Sequence, residues 1–300
     1  MFLVTSLEEV SAFLFNFVEM TIKIIMAITF DTLKSDARIF LELGKEPAWW
    51  KRFKEDPSLY IEIRKDNQVN VYFQGGSVAR IHYCSKKGQL QVFTHHKYLG
   101  EPAPSKGSLY KECSEQIGNC LEEVLERVKK EYSQKHQVGG VVPKEKWSEK
   151  YIQGTLIIQS RHCHLDSEFA YIDGETNNRI DWVRCDNGNV TFVELKRMDD
   201  GRMLHETDAT PEVVFQMNRY KQFIEKYKPQ LLLYYQKLYE IKKSLGLPVP
   251  DFKPASINET PELLIFDRWE KNTKDRDKHR NRLREILEKE QIKFQVMTDL

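Results

Sequence analysis

The spacing of apolar residues changes along the chain, and each change marks a different element. Residues 31–46 place Leu33, Ala37, Phe40 and Leu41 at helical intervals and predict a helix. After Asp56-Pro57 the period falls to two, and Tyr60–Arg64, Val69–Gln74, Val78–Tyr83 and Leu90–Leu99 read as strands. Lys65-Asp66-Asn67, Gly75-Gly76 and Lys86-Lys87-Gly88 supply turn chemistry between them, so the strands form an antiparallel meander. Pro102, Pro104 and Gly107 then break the pattern. Ser108–Gln134 follows as a predicted long helix with an apolar stripe of Cys120, Leu121, Val124, Leu125 and Val128.

Gly139-Gly140 and Pro143 mark a second break, taken as the expected domain boundary. The expected organisation is an apolar segment at 1–30, a β-meander plus long helix at 31–140, and a second domain at 141–300. The second domain opens with a short predicted helix, Lys144–Gln153, then strands Glu168–Ile172, Arg179–Cys185 and Val190–Lys196. Helices Pro211–Tyr227 and Leu231–Leu245 come next, with proline at a helix start where its missing N–H is harmless. Strand Leu263–Asp267, a charged helix Thr273–Glu290 and strand Ile292–Met297 complete the pattern. Helix, three meandering strands, helix, strand predicts an α/β (α+β) core.

The first thirty residues do not fit a simple class. Val10–Phe30 is apolar, but Glu19 and Lys23 interrupt it, and Glu8-Glu9 stand where a signal peptide would carry positive charge. The run is near spanning length, so a membrane anchor is one reading. A buried or partner-docking helix is the expectation, with no stable membrane insertion. Met26 is a second candidate start.

Composition narrows the class without naming a function. The 300 residues are 40% hydrophobic and 30% charged, which fits a globular chain with a core. A net charge of +1 argues against a uniformly basic coat but leaves room for a local basic groove. The five cysteines are odd in number and lack CxxC spacing, so a reducing, cytoplasmic setting is expected. Cys163 lies between His162 and His164, but no further ligand cluster accompanies them, and a structural role is expected.

Chemistry concentrates on one hairpin. Asp186-Asn187-Gly188-Asn189 is a two-residue turn signal that fixes the register. With Asp186 opposite Asn189, Asp181 falls opposite Glu194, with Cβ atoms about 5 Å apart. Lys196 shares their face, two residues on. Paired carboxylates repel unless a cation lies between them, and Mg²⁺, with Mn²⁺ as substitute, suits such oxygen ligands. The competing reading is a solvated salt-bridge cluster of little energetic consequence. The flanking Ile180, Trp182, Val183, Phe192, Val193 and Leu195 favour a covered sheet in which charges need a reason to be present.

Asp181, the hairpin and Glu194-Leu195-Lys196 together resemble the PD-(D/E)xK nuclease superfamily. Gln216-Met217-Asn218-Arg219-Tyr220 matches the QxxxY motif of its RecB-like and lambda-exonuclease-like branches. The resemblance covers about residues 144–270 and departs from the literal pattern where Ile180 replaces proline. It implies a restriction-endonuclease-like αβββαβ core. It makes Asp181, Glu194 and the Leu195 carbonyl metal ligands, Lys196 the catalytic lysine, and Gln216 and Tyr220 active-site contacts. A further acid is expected, with Glu149, Glu168 and Asp166 as alternatives. If the loop Asp173–Asn178 closes symmetrically, Ala170 opposes Asp181 and Glu168 lies one diagonal step away.

Arg179, Arg197 and Arg202 flank the motif as candidate phosphate contacts. Trp49–Lys54 mixes aromatic and basic groups as single-strand binders do, although a core edge explains it equally well. The expected function is a Mg²⁺-dependent nuclease, more naturally of DNA than RNA, in restriction, repair or phage defence. A homodimer or partner protein is compatible with it. The competing class is an inactive nuclease fold used as a binding module.

Overall fold

The computed structural model describes residues 32–114, 117–136, 143–173, 176–204 and 210–300. The apolar run at 10–30 and the Gly139-Gly140 break lie outside them. The chain folds as a mixed α/β protein built on two sheets.

The first sheet runs in chain order through β1 (Leu59–Ile63), β2 (Val69–Phe73), β3 (Gly76–Cys84), β4 (Gln89–His95) and β5 (Tyr110–Glu112), all antiparallel. Strand alternation sends Leu59, Ile63, Val69, Val71 and Phe73 into a core shared with α1 (Arg38–Leu43), α2 (Ala48–Glu55) and α3 (Ile117–His136). Three expectations shift here. The strand read as Leu90–Leu99 ends at His95, because His96–Leu99 winds into a 3-10 turn closed by Gly100 at φ +75°. The helix read from Ser108 begins at Ile117, because Tyr110–Glu112 joins the sheet. The aromatic-basic stretch is helix α2, whose Trp50 and Phe53 are buried in the core.

The second sheet carries β6 (His164–Asp173), β7 (Thr176–Asp186) and β8 (Asn189–Arg197) as an antiparallel meander. The short β9 (Ser256–Ile257) and then β10 (Glu262–Phe266) pair with β8 in parallel, and β11 (Phe294–Met297) pairs in parallel with β10. Helix α4 (Glu149–Gln159) covers Trp182, Val193, Leu195 and Leu264 on one face. Helix α5 (Glu212–Ser244) covers Val183, Phe192 and Leu263 on the other, where α6 (Lys274–Lys289) adds Leu283 and Leu287. The two helices expected at 211–245 are therefore one. Pro229 forfeits a backbone hydrogen bond inside it. The buried stripe of Phe223, Ile224, Leu231, Tyr234, Tyr235 and Leu238 holds the helix together across that point.

The two halves meet through polar as well as apolar contacts. On the other face of β1, turned to the second half, Glu62 is fully buried between Lys242 at 2.9 Å, His164 at 2.8 Å and the Ser167 hydroxyl at 2.8 Å. The Trp182 indole donates to His164 Nδ1 at 3.1 Å, so the ring proton lies on Nε2 and points at Glu62. Burial pulls His164 toward its neutral form. This is the structural role of the histidine in the His162-Cys163-His164 triplet. At the β2–β3 turn, Gly75 presses against α4 so closely that an added Cβ would lie 2.7 Å from the Lys150 carbonyl. A Cβ on Gly154, one turn further along, would lie 2.8 Å from the Gln74 Cα.

Candidate active site

The turn at Asn187-Gly188 adopts positive φ at both residues, +50° and +79°, and sets Asp186 opposite Asn189 as the sequence predicts. The ladder runs back to Trp182 opposite Val193, and Asp181 and Glu194 stand one step beyond it. There the Asp181 carboxylate reaches across, and its Oδ2 accepts the Leu195 N–H at 2.9 Å. Gln153 on α4 donates to the Asp181 carbonyl at 2.5 Å and fixes the same residue from behind.

The β6–β7 register differs from the expected one by two residues. Asp173 pairs with Thr176, so Ala170 opposes Arg179 rather than Asp181. The pairs on either side, Ser167 with Trp182 and Phe169 with Ile180, leave Glu168 facing Asp181. Glu168 departs from the strand at φ +56°, a conformation unusual for a residue with a side chain. Glu168, Asp181 and Glu194 thus occupy matching positions on three neighbouring strands.

Lys196 is the hub of the site. Its side chain is buried, and its Nζ lies 3.7 Å from Asp181 Oδ2, 3.9 Å from Glu149 Oε1 and 3.0 Å from the Leu195 carbonyl. It also donates to Glu194 Oε1. Burial disfavours the ammonium, but Glu194, Asp181 and Glu149 outweigh that and raise its pKa. Glu194 has the opposite problem. Burial, and then Asp181, push its carboxyl up to about 8, and Lys196 offsets this only in part. Burial raises Asp181 and Glu149 as well. Glu194 Oε2 is buried with no hydrogen-bond partner.

The first turns of α5 close the site from above. Gln216 donates to Glu194 Oε1 at 2.6 Å and to the Tyr220 hydroxyl at 2.7 Å, and Tyr220 donates to the Arg179 carbonyl at 2.6 Å. The two residues are one helical turn apart, which brings both onto the face that meets the sheet. Burial keeps the Tyr220 phenol protonated. Together these groups line a cleft of about 330 Å³ between α4, α5 and the strand ends.

Most of the predicted site residues converge there, and two do not. Asp181, Glu194, Lys196, Gln216, Tyr220, Glu149, Glu168, Arg179 and Arg202 line the cleft. Leu195 contributes its carbonyl, while its side chain is buried against α4. Arg197, next along β8 from Lys196, projects to the opposite face and lies 3.7 Å from Asp199. Asp166 also turns away, because Arg64 at 3.5 Å and the Ser167 N–H at 2.8 Å draw it into the buried network between the halves. Of the two predicted arginines that reach the cleft, Arg179 pairs with Glu168 at 2.8 Å and Arg202 with Asp200 at 2.8 Å. Gln153, Lys150 and Arg219 line the cleft without having been singled out. Helical spacing from Glu149 and from Gln216 was the available signal for Gln153 and Arg219, while Lys150, next to Glu149, had none.

A groove of about 380 Å³ on the α4 face of the sheet, between Leu156, Trp182, Leu264 and Met297, is larger but gathers no comparable set of carboxylates. Among the described residues, no group of three or more His, Cys, Asp or Glu side chains is placed to hold a metal ion, and the cysteines are free thiols. No helix among them is long and apolar enough to cross a membrane. Compared with known proteins, the chain matches no family model, no curated protein and no solved structure.

Proposed function

We propose that this chain is a Mg²⁺-dependent nuclease acting on DNA, built on a restriction-endonuclease-like αβββαβ core. The order α4, β6-β7-β8, α5, β10 supports the fold reading, with the last strand parallel to β8. One observation carries the function. The oxygens of Asp181, Glu194, Glu149 and the Leu195 carbonyl surround a single cation, the Lys196 ammonium. The buried Glu194 Oε2 beside it has no partner. That donor set, hard oxygens around one positive charge, fits Mg²⁺ or Mn²⁺.

Bound Mg²⁺ supplies Lewis-acid polarisation of a phosphoryl oxygen. The chain's own residues do the rest. Asp181, Glu194, Glu149 and the Leu195 carbonyl would hold the cation. Gln216 orients Glu194 and is itself fixed by Tyr220. Lys196 offers an ammonium that stays protonated, able to orient a water nucleophile and to offset negative charge developing on the phosphate. Glu149 is the favoured third acid, because it reaches Lys196, whereas Glu168 is tied to Arg179.

The test is incubation of purified full-length chain with plasmid, linear duplex, single-stranded DNA and RNA, each with Mg²⁺, Mn²⁺ or chelator. Cutting of DNA that stops in chelator is expected. Absence of cutting on every substrate with either metal contradicts the proposal.

A further inference from the structure

The cations around the cleft divide into two groups. Lys196 is committed to Glu194, Asp181 and Glu149, Arg179 to Glu168, and Arg202 to Asp200 in a two-pronged pairing at 2.9 and 2.8 Å. Lys150 and Arg219 also line the cleft, yet neither has a side-chain ion pair or hydrogen bond among the described residues. Both are exposed, and they come from different walls, Lys150 from the first turn of α4 and Arg219 from the second turn of α5. Both charges have no partner among the described residues, although the cleft holds four carboxylates. Two of those acids, Glu149 and Glu194, are already engaged with Lys196.

The Lys150 side of this pair is mechanically anchored. Its backbone is seated against Gly75 of the β2–β3 turn, where an added Cβ would lie 2.7 Å from the Lys150 carbonyl oxygen and 2.8 Å from its Cβ. Gly154, a turn further along α4, meets Gln74 and Gly75 equally closely. The first half of the chain therefore fixes the height and rotation of the helix that carries Glu149, Lys150 and Gln153. Arg219 is held in the same way by its own helix, since its neighbour Tyr220 is buried and hydrogen-bonded to β7. Two cations without a partner among the described residues, on rigid walls that flank the proposed cation site, match a chain of phosphates crossing the cleft.

We infer that Lys150 and Arg219 form a two-walled phosphate grip for the nucleic-acid backbone on either side of the scissile bond, with α4 seated by the Gln74-Gly75 turn. The inference rests on the nuclease reading and adds the residues that bind the polyanion. Lys150 and Arg219 are binding residues and take no part in the bond-breaking step. Arg179 and Arg202 contribute less to binding, since each would first have to leave its acid.

The experiment measures binding of a labelled oligonucleotide to the full-length chain by fluorescence anisotropy. Ca²⁺ replaces Mg²⁺, and salt runs from about 0.05 to about 0.3 M, the range in which phosphate contacts are read from the slope of log K against log salt. Lys150→Gln and Arg219→Gln should each reduce that slope by about one on duplex DNA, and the double variant by about two. At about 0.15 M salt each should weaken binding about fivefold, as a slope near 0.9 per phosphate requires. Arg219→Lys should retain the slope. Lys86→Gln, in the exposed β3–β4 turn, should match the unaltered chain. In parallel cleavage assays KM should rise while kcat stays within about twofold, since uniform binding is lost. Melting temperatures unchanged from the parent chain confirm that neither variant acts through folding.

Slopes and affinities equal to those of Lys86→Gln overturn the grip even if the chain cuts DNA. A fall in kcat without a change in slope overturns it too. A chain that neither binds nor cuts any nucleic acid overturns the nuclease reading along with it.

Discussion

The Asp181 carboxylate accepts the N–H of Leu195 at 2.9 Å, so the acid of one strand is locked onto the backbone of the residue between Glu194 and Lys196. This bond does what a further step of the ladder would have done. It keeps β7 and β8 together where the strands part to open the cleft. Asp181→Asn keeps the shape, and its amide oxygen can still accept that N–H, but it removes a charge from the cation site. The expected result is at least a tenfold loss of Mn²⁺ affinity by calorimetry, with little change in melting temperature. Unchanged Mn²⁺ binding would contradict the assignment of Asp181 as a ligand.

The acids of the cleft make stability depend on pH in a definite direction. Burial, with help from Asp181, holds Glu194 at about 8, against 4.5 for a free glutamate. The folded chain therefore keeps a proton that the unfolded chain gives up. Stability from this proton is complete below about pH 4.5 and is lost as pH rises through about 8. Asp181 and Glu149, both raised by burial, act in the same sense. In chelator, the melting temperature of the parent chain should fall relative to Glu194→Gln as pH rises across this window. Added Mn²⁺ should reverse the fall, because it replaces the proton. Parallel curves for parent and variant would contradict the link.

The hairpin was legible in the sequence because its determinants are local. Asn187-Gly188 fixes the turn, and alternation then assigns every side chain on β7 and β8 to a face, including Lys196. Gln216 and Tyr220 were legible for the same reason, since helical spacing puts both on one face. What was not legible depends on partners distant in sequence. The β6–β7 register is an exception, since Asp173-Gly174 is a local turn signal that the symmetric closure of Asp173–Asn178 passed over. Asp166 is turned from the cleft by Arg64, about a hundred positions away. Pro229 marks a break locally, but packing along the helix overrides it. Nothing near Glu62 indicates that it is buried against Lys242.

That last pair should be costly to break from one side. Glu62 and Lys242 are both buried and lie 2.9 Å apart, joining β1 to α5. Burial would protonate Glu62, but Lys242 and His164 hold it below the ordinary carboxylate range. Glu62→Ala leaves the Lys242 ammonium without its counter-charge and should cost about 3–5 kcal/mol in urea unfolding. Combining it with Lys242→Met should recover much of that loss, because the uncompensated charge is then gone. Equal destabilisation in the single and double variants would contradict the assignment of the cost to charge burial.

Gly154 is a second point of contact between the halves. In an isolated helix, alanine would be better than glycine by about 1 kcal/mol. Here its Cβ would lie 2.8 Å from both the Gln74 Cα and the Gly75 N, backbone atoms that cannot swing aside. Overpacking should win, and Gly154→Ala should destabilise by about 1–3 kcal/mol. A rise in melting temperature would show that the turn yields and does not hold α4 in place.

The most direct measurement is cleavage of duplex DNA by the full-length chain, Asp181→Ala and Lys196→Ala, prepared side by side and assayed with Mg²⁺ and with chelator. Cutting by the parent chain in Mg²⁺, none in chelator, and none by either folded variant is the predicted result. Cutting that survives both substitutions would contradict a catalytic centre at the Asp181–Glu194–Lys196 cleft.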